Sequence, residues 1–166
     1  MSDILYIVVP CYNEEAVLPE TQKELGNKLS DMISTGAISE ESRIVFVDDG
    51  SKDRTWELIE KYHSENSKIG GVKLAHNRGH QFAVLAGLMT VKDLCDMAIT
   101  MDADLQDDID VVDKFVEKYK EGCEVVYGVR NSRATDTFLK RQLQKDFIKL
   151  CRQWELILYL IMQIID

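Results

Sequence analysis

The feature that most constrains this chain is a repeated alternation. Short apolar, β-rich runs are each cut off by a polar cluster and followed by a stretch with helical spacing. Ile4 to Val9 is the first run, ended by Pro10; Arg43 to Asp48, Gly71 to Ala75, Asp96 to Met101 and Cys123 to Gly128 follow. Between them the spacing predicts a helix from Asn13 to about Ile33, with Leu18, Leu25 and Leu29 inward and Pro19 delaying or kinking its start. Asn13 and Asp53 are candidate caps for the first two helices. Helices over 54–65, Gly79–Val91 and Asp110–Glu121 complete the pattern. Ala83, Ala86 and Gly87 suit close packing on a sheet. A β-α-β-α-β-α-β-α-β order predicts an α/β fold with a doubly wound, mostly parallel, right-handed sheet and helices on both faces.

In such a sheet the carboxyl ends of the strands share one edge, where ligands of open α/β folds sit. Four polar motifs fall there: Cys11-Tyr12-Asn13-Glu14, Asp48-Asp49-Gly50-Ser51, His76-Asn77-Arg78-Gly79-His80 and Asp102-Ala103-Asp104-Leu105-Gln106. The last is the most demanding. Two carboxylates held ~4 Å apart repel, and burial raises the pKa of at least one. A divalent cation resolves this. Asp102, Asp104 and the Gln106 carbonyl are hard oxygen donors of the kind Mg²⁺ or Mn²⁺ accepts, with open positions left to grip a diphosphate. Asp-x-Asp also arises by chance in a chain with 29 acidic residues.

The other ends carry alternatives. Asp48 or Asp49 can accept hydrogen bonds from a base edge or a ribose hydroxyl, or serve the next turn and helix. Gly50 suits a positive φ. Tyr12 offers an aromatic face and a hydroxyl, or simply packs. Arg78 meets a phosphate or is a solvated charge. Gly79 opens the third helix N-terminus to an anion. His76 and His80 lack a third nitrogen or sulfur ligand nearby, which disfavours a metal role.

Composition removes several classes. With 166 residues the chain can bury one real core. A net charge of −9 and a pI near 4.9 argue against a nucleic-acid partner. The cysteines Cys11, Cys95, Cys123 and Cys151 show no C-x-x-C pair, which fits reduced thiols in a cytosolic protein. Asp3, Pro10 and Asn13 interrupt any leader pattern. The longest apolar run, Leu156 to Met162, is short of the ~20 residues a membrane helix needs. No G-x-G-x-x-G follows a strand, so a dinucleotide oxidoreductase is disfavoured. A receiver- or dehalogenase-like phosphotransfer protein is disfavoured too, because Asp-x-Asp follows the fourth strand rather than the first.

I-V-V-P-C-Y-N-E-E at 7–15, V-D-D-G-S-K-D-R-T at 47–55, H-N-R-G-H-Q-F-A-V-L-A-G-L at 76–88, M-D-A-D-L-Q-D at 101–107 and V-Y-G-V-R-N-S-R at 126–133 closely resemble the family 2 glycosyltransferases. Within them the chain resembles the branch that moves a sugar from a nucleotide-sugar to a polyprenyl phosphate. The resemblance covers about residues 4–140. It implies a GT-A, Rossmann-like domain and a UDP- or GDP-sugar donor. By the same resemblance Pro10, Tyr12, Glu14 and Asp48, with Asp49 beside it, would line the base and ribose site. Arg78 and Gly79 would lie near the nucleotide. Asp102, Asp104 and Gln106 would hold Mg²⁺ or Mn²⁺ against the diphosphate. Asp104, Arg130 and Arg133 would serve the reaction, the arginines near phosphate or acceptor. Transfer with inversion, at the cytoplasmic membrane face in full-length relatives, is the implied activity.

From about Arg141 the pattern changes, so the chain reads as a nucleotide-sugar domain over 1–140 and an atypical, apolar, helical tail over 141–166. The acidic N-H-A-D-Y-R segment of the family is absent. Back-translated with one permitted codon choice and read one nucleotide out of register, the tail gives T-T-A-E-G-F-Y-K-I-M-Q-A-M-G-V-D-I-V-F-N-H-A-D-Y-R, the family's continuation. The expectation is that one nucleotide was lost near codon 140 or 141; an uninterrupted native frame in the parent gene would refute it. The alternative to an active transferase is therefore an inactive nucleotide-sugar-binding fragment without the acceptor-side acid. The apolar tail is expected to dock on its own domain or on a second copy.

Overall fold

Strands that are apolar on both sides need cover on both faces, and the computed structural model of this chain supplies it. The structure describes residues 2–106, 108–128 and 159–163. In chain order the elements are β1 (Leu5–Cys11), α1 (Leu18–Ser34), β2 (Arg43–Asp48), α2 (Thr55–Glu65), β3 (Ile69–Lys73), α3 (His80–Val91), β4 (Met97–Thr100), α4 (Val111–Lys120), β5 (Val125–Gly128) and β6 (Tyr159–Gln163). The strands form one six-stranded sheet in the order β3-β2-β1-β4-β6-β5, and every pairing is parallel.

Strand alternation divides the core in two. Leu5, Ile7, Val9, Ile44 and Phe46 face a layer made by α1, α2 and α4, through residues such as Leu25, Ile59 and Phe115. Val8, Val45, Val47 and Ala98 face α3, through Ala83, Val84, Leu88 and Val91. The small residues of α3 bring it close: a Cβ on Gly87 would lie 2.4 Å from Val8 Cγ1. Order reverses between β1 and β4, which run side by side while their successors depart in opposite directions. That junction is where open α/β sheets leave a crevice.

Three local expectations are corrected. Asn13 does not cap α1, which starts at Leu18 with Pro19 in its first turn. Asn13 instead adopts φ 56° and is committed to the neighbouring loop, donating its N–H to Ser51 Oγ and accepting Lys52 N–H at Oδ1. β3 lies two residues earlier than the spacing predicts, over Ile69–Lys73, because its register follows β2 from Ile44↔Ile69 to Asp48↔Lys73. Gly70 and Gly71 resemble a turn but sit inside this strand, where Gly71 faces Ile59 and Trp56 of α2. The tail is not helical over Tyr159–Gln163. That segment is a strand inserted between β4 and β5, with register Ile99↔Ile161 and Val126↔Ile161. A short apolar run cannot distinguish helix from strand by periodicity; here the ladder groups of two neighbouring strands decide. These five residues therefore dock on their own domain. The rest of 141–166 lies outside the described residues. Among the described residues, no helix is long and apolar enough to cross a membrane.

Candidate functional site

The loops after β1 and β2 are tied together before any ligand is considered. Asn13, Glu14 and Glu15 donate their backbone N–H groups to Ser51 Oγ, Thr55 Oγ1 and Asp53 Oδ2. In return Lys52 and Arg54 N–H donate to Asn13 Oδ1 and Glu15 Oε2. Asp53 Oδ1 also accepts the N–H of Thr55, the first residue of α2, while the cap position itself falls on Arg54, without a side-chain cap bond, rather than on Asp53 as the sequence suggests. This reciprocal bonding fixes the wall that carries Tyr12 and Glu14.

Asp49 fixes the next wall. It is 2% exposed, and its Oδ1 and Oδ2 accept the N–H groups of Arg78 and Gly79 at 2.7 and 2.8 Å. Gly79 has φ 93° and opens α3. Gly50, at φ 70°, lets the β2 turn press on the same loop; a Cβ there would sit 2.6 Å from Asn77 N. The third wall follows β4. Met101 N–H bonds to Val8 O at 3.0 Å, which sets Asp102 just beyond the paired strand ends. Thr21 Oγ1 of α1 donates to Ala103 O and holds the loop from behind. Leu105, a non-glycine at φ 51°, turns the chain, and Gln106 N–H donates to Asp104 Oδ1 at 3.1 Å. Positive φ at a non-glycine residue is strained and tends to occur at functional sites.

These walls enclose one cavity of about 280 Å³ at the β1/β4 junction. Pro10, Tyr12, Glu14, Asp49, Gly79, Asp102 and Asp104 all line it, so the structure brings together seven of the residues singled out in the sequence. Cys11, Asn77, His80, Ala83 and Ala103 line it as well. His80 stood in the quoted motif directly after the helix-opening Gly79, the one signal that could have marked it. Its Nε2 lies 3.8 Å from Asp102 Oδ1.

Other candidates are placed elsewhere. Asp48 does not line the cavity: it shares the alternation of Ile44 and Phe46, points under the α1–α2 layer, is fully buried, and accepts Ser51 N–H at Oδ1. Its Oδ2 has no hydrogen-bond partner among the described residues. Arg78 is exposed and contributes its backbone, not its guanidinium, to this wall. Gln106 is exposed outside the cavity lining. Arg130 and Arg133 lie outside the described residues.

The cavity is acidic. Desolvation, then Asp104, Asp53 and Asp102, push the Glu14 carboxyl up from its ordinary value. Burial, then Glu14 and Asp48, push the Cys11 thiol well up, which keeps it an inert thiol. Among the described residues no group of three or more His, Cys, Asp or Glu side chains is arranged to hold a metal ion. Two carboxylates with substrate phosphates and water completing the shell is instead how Mg²⁺-type ions are commonly held. Asp102 and Asp104, hard donors at the cavity mouth that raise a neighbouring acid, fit an ion of that kind.

The sequence model described as Glycosyl transferase family 2 matches residues 6–164. This chain belongs to that family. It is 55% identical over 147 residues to the "Uncharacterized glycosyltransferase YkoT" of Bacillus subtilis (strain 168), covering 89% of this chain and 44% of that protein. It is 35% identical over 138 residues to the undecaprenyl-phosphate 4-deoxy-4-formamido-L-arabinose transferase of Aeromonas hydrophila, covering 82% of this chain and 40% of that protein. The chain thus spans less than half the length of either relative. Among solved structures, the mannosyltransferase PcManGT from Pyrobaculum calidifontis, in complex with GDP-Man and Mn²⁺, superposes with a TM-score of 0.58 at 20% identity, covering 78% of this chain and 36% of that one. The fold is the GT-A fold implied by the sequence motifs.

Proposed function

We propose that this chain is the donor-binding domain of an enzyme that transfers a sugar from a nucleoside-diphosphate sugar to a polyprenyl phosphate or similar acceptor. The observation that carries this reading is the convergence of the loops after β1, β2, β3 and β4 on one cavity at the sheet's reversal point. Tyr12, on the β1 side, offers a face for the base. Asp49 orders the loop that presents Asn77, Gly79 and the start of α3. Asp102 and Asp104 would hold Mg²⁺ or Mn²⁺, with Gln106 bracing Asp104. When bound, the ion supplies Lewis-acid stabilisation of charge on the leaving diphosphate. An acceptor phosphate is already anionic, so the chain needs no strong general base. The solved relative that holds GDP-Man and Mn²⁺ and the relative named for undecaprenyl phosphate support donor and acceptor class respectively.

Calorimetry with UDP- and GDP-sugars, with and without Mn²⁺, beside a transfer assay with polyprenyl phosphate, tests this. Mn²⁺-dependent binding together with sugar transfer is the expected result. Binding without transfer selects the inactive-fragment reading. Absence of binding to either donor class refutes both.

A further inference from the structure

The cavity has a charge problem that its acids cannot solve. Glu14, Asp49, Asp102 and Asp104 line it, and a diphosphate would add further negative charge. Asp49 is compensated by the two N–H groups it accepts. Arg78, the obvious cation of this loop, is exposed and outside the lining. Among the described lining residues His80 brings a ring N–H donor, a group that can meet a phosphate oxygen, to the mouth of this cavity.

Its position is built rather than incidental. Gly79 at φ 93° turns the chain into α3 at that point, and the buried Asp49 carboxylate clamps the residue before His80. The imidazole is more than half exposed, yet Nε2 stands 3.8 Å from Asp102 Oδ1, beside one of the two carboxylates at the cavity mouth. That separation is longer than a hydrogen bond. His80 is therefore near Asp102 without being closed onto it, and its donor can serve a third group between them. The first turn of α3 adds backbone N–H groups without side-chain caps on the same side.

We propose that His80 binds the diphosphate of the donor, donating from Nε2 to a phosphate oxygen beside Asp102. This assignment rests on the donor-site reading above. It gives the acidic cavity an anion contact from the chain itself, in addition to any ion on Asp102 and Asp104.

The test is calorimetry of the full chain with UDP and GDP in Mn²⁺, with Mn²⁺ alone, and ligand-observed NMR with uridine and guanosine. His80→Ala is expected to weaken binding of the preferred nucleoside diphosphate about tenfold, a loss of the order of one charge-assisted hydrogen bond. Binding of the nucleoside and of Mn²⁺ alone should match wild type. His80→Gln retains a terminal N–H donor and should recover most of the loss. Because the side chain is exposed, both variants should melt with wild type. Equal diphosphate binding by His80→Ala and wild type overturns the proposal. So does a loss of Mn²⁺ binding without nucleotide, which would make His80 a positioning residue for Asp102, or an equal loss for the nucleoside, which would move it to the base side. If wild type itself binds neither UDP nor GDP, the donor-site reading fails first, and the His80 assignment falls with it.

Discussion

Asp49→Ala is the most informative single change, because one buried side chain holds both the fold and a wall of the site. Its two oxygens accept Arg78 N–H at 2.7 Å and Gly79 N–H at 2.8 Å, and the residue is 2% exposed. Hydrogen bonds to a charged group are worth about 1.5–3 kcal/mol each. The loop they hold is partly exposed, so the lower figure applies and the pair contributes roughly 3 kcal/mol. For a domain of this size 1 kcal/mol moves Tm by about 2–4 °C, so Asp49→Ala should melt about 6–12 °C below wild type. Asp49→Asn keeps one acceptor and turns an amide N–H toward the other donor, so it should lose at least half as much. The assay is differential scanning calorimetry, with nucleotide titration in Mn²⁺ as a second readout. Affinity should fall in both variants, since Gly79 and His80 lose their anchor. A Tm change under about 2 °C, below 1 kcal/mol on this scale, would show that the carboxylate does not hold the loop and would refute the reasoning.

Gly87→Ala would normally help a helix by about 1 kcal/mol. Here its Cβ would lie 2.4 Å from Val8 Cγ1 and 2.8 Å from Val47 Cγ2. Overpacking costs about 1–3 kcal/mol, so a lower denaturation midpoint is expected and a higher one would contradict the packing. Asp104→Ala should abolish the Mn²⁺-dependent part of nucleotide binding while leaving Tm without metal unchanged or higher, because one of two mutually repelling carboxylates is gone; calorimetry and thermal melts read both. Glu14→Gln tests the acidity of the site through pH. The Glu14 carboxyl is pushed up by desolvation, then by Asp104, Asp53 and Asp102. A raised acid favours the fold while protonated and loses that contribution as pH rises through its folded value. The variant should therefore melt above wild type near neutral pH, with the gain vanishing at and below 4.5, the ordinary glutamate value. A gain that does not vary with pH would rule this cause out.

Much of the molecule was legible in the chain itself. The apolar runs ending at Pro10, Asp48 and Met101 could be buried only in a parallel sheet, because nothing in them alternates and helical stretches separate them. Parallel strands in turn commit their end motifs to one edge, so the sequence alone groups Tyr12, Glu14, Gly79, Asp102 and Asp104 there. Tertiary structure decided what local pattern leaves degenerate. Asp48 and Asp49 are adjacent acids of one type, yet strand alternation buries the first under α1 and α2 and turns the second into the cavity. Asn13 had the chemistry of a helix cap, but it instead donates its N–H to Ser51 Oγ and accepts Lys52 N–H. Tyr159–Gln163 could be helix or strand by composition, and the ladder between β4 and β5 chose strand. His80 acquired its meaning only when the turn at Gly79 set it beside Asp102, 22 positions later in the chain. Composition and period are local properties that the chain carries with it. Which of two equivalent side chains faces a ligand depends on partners distant in sequence, and those exist only once the sheet has closed around the site.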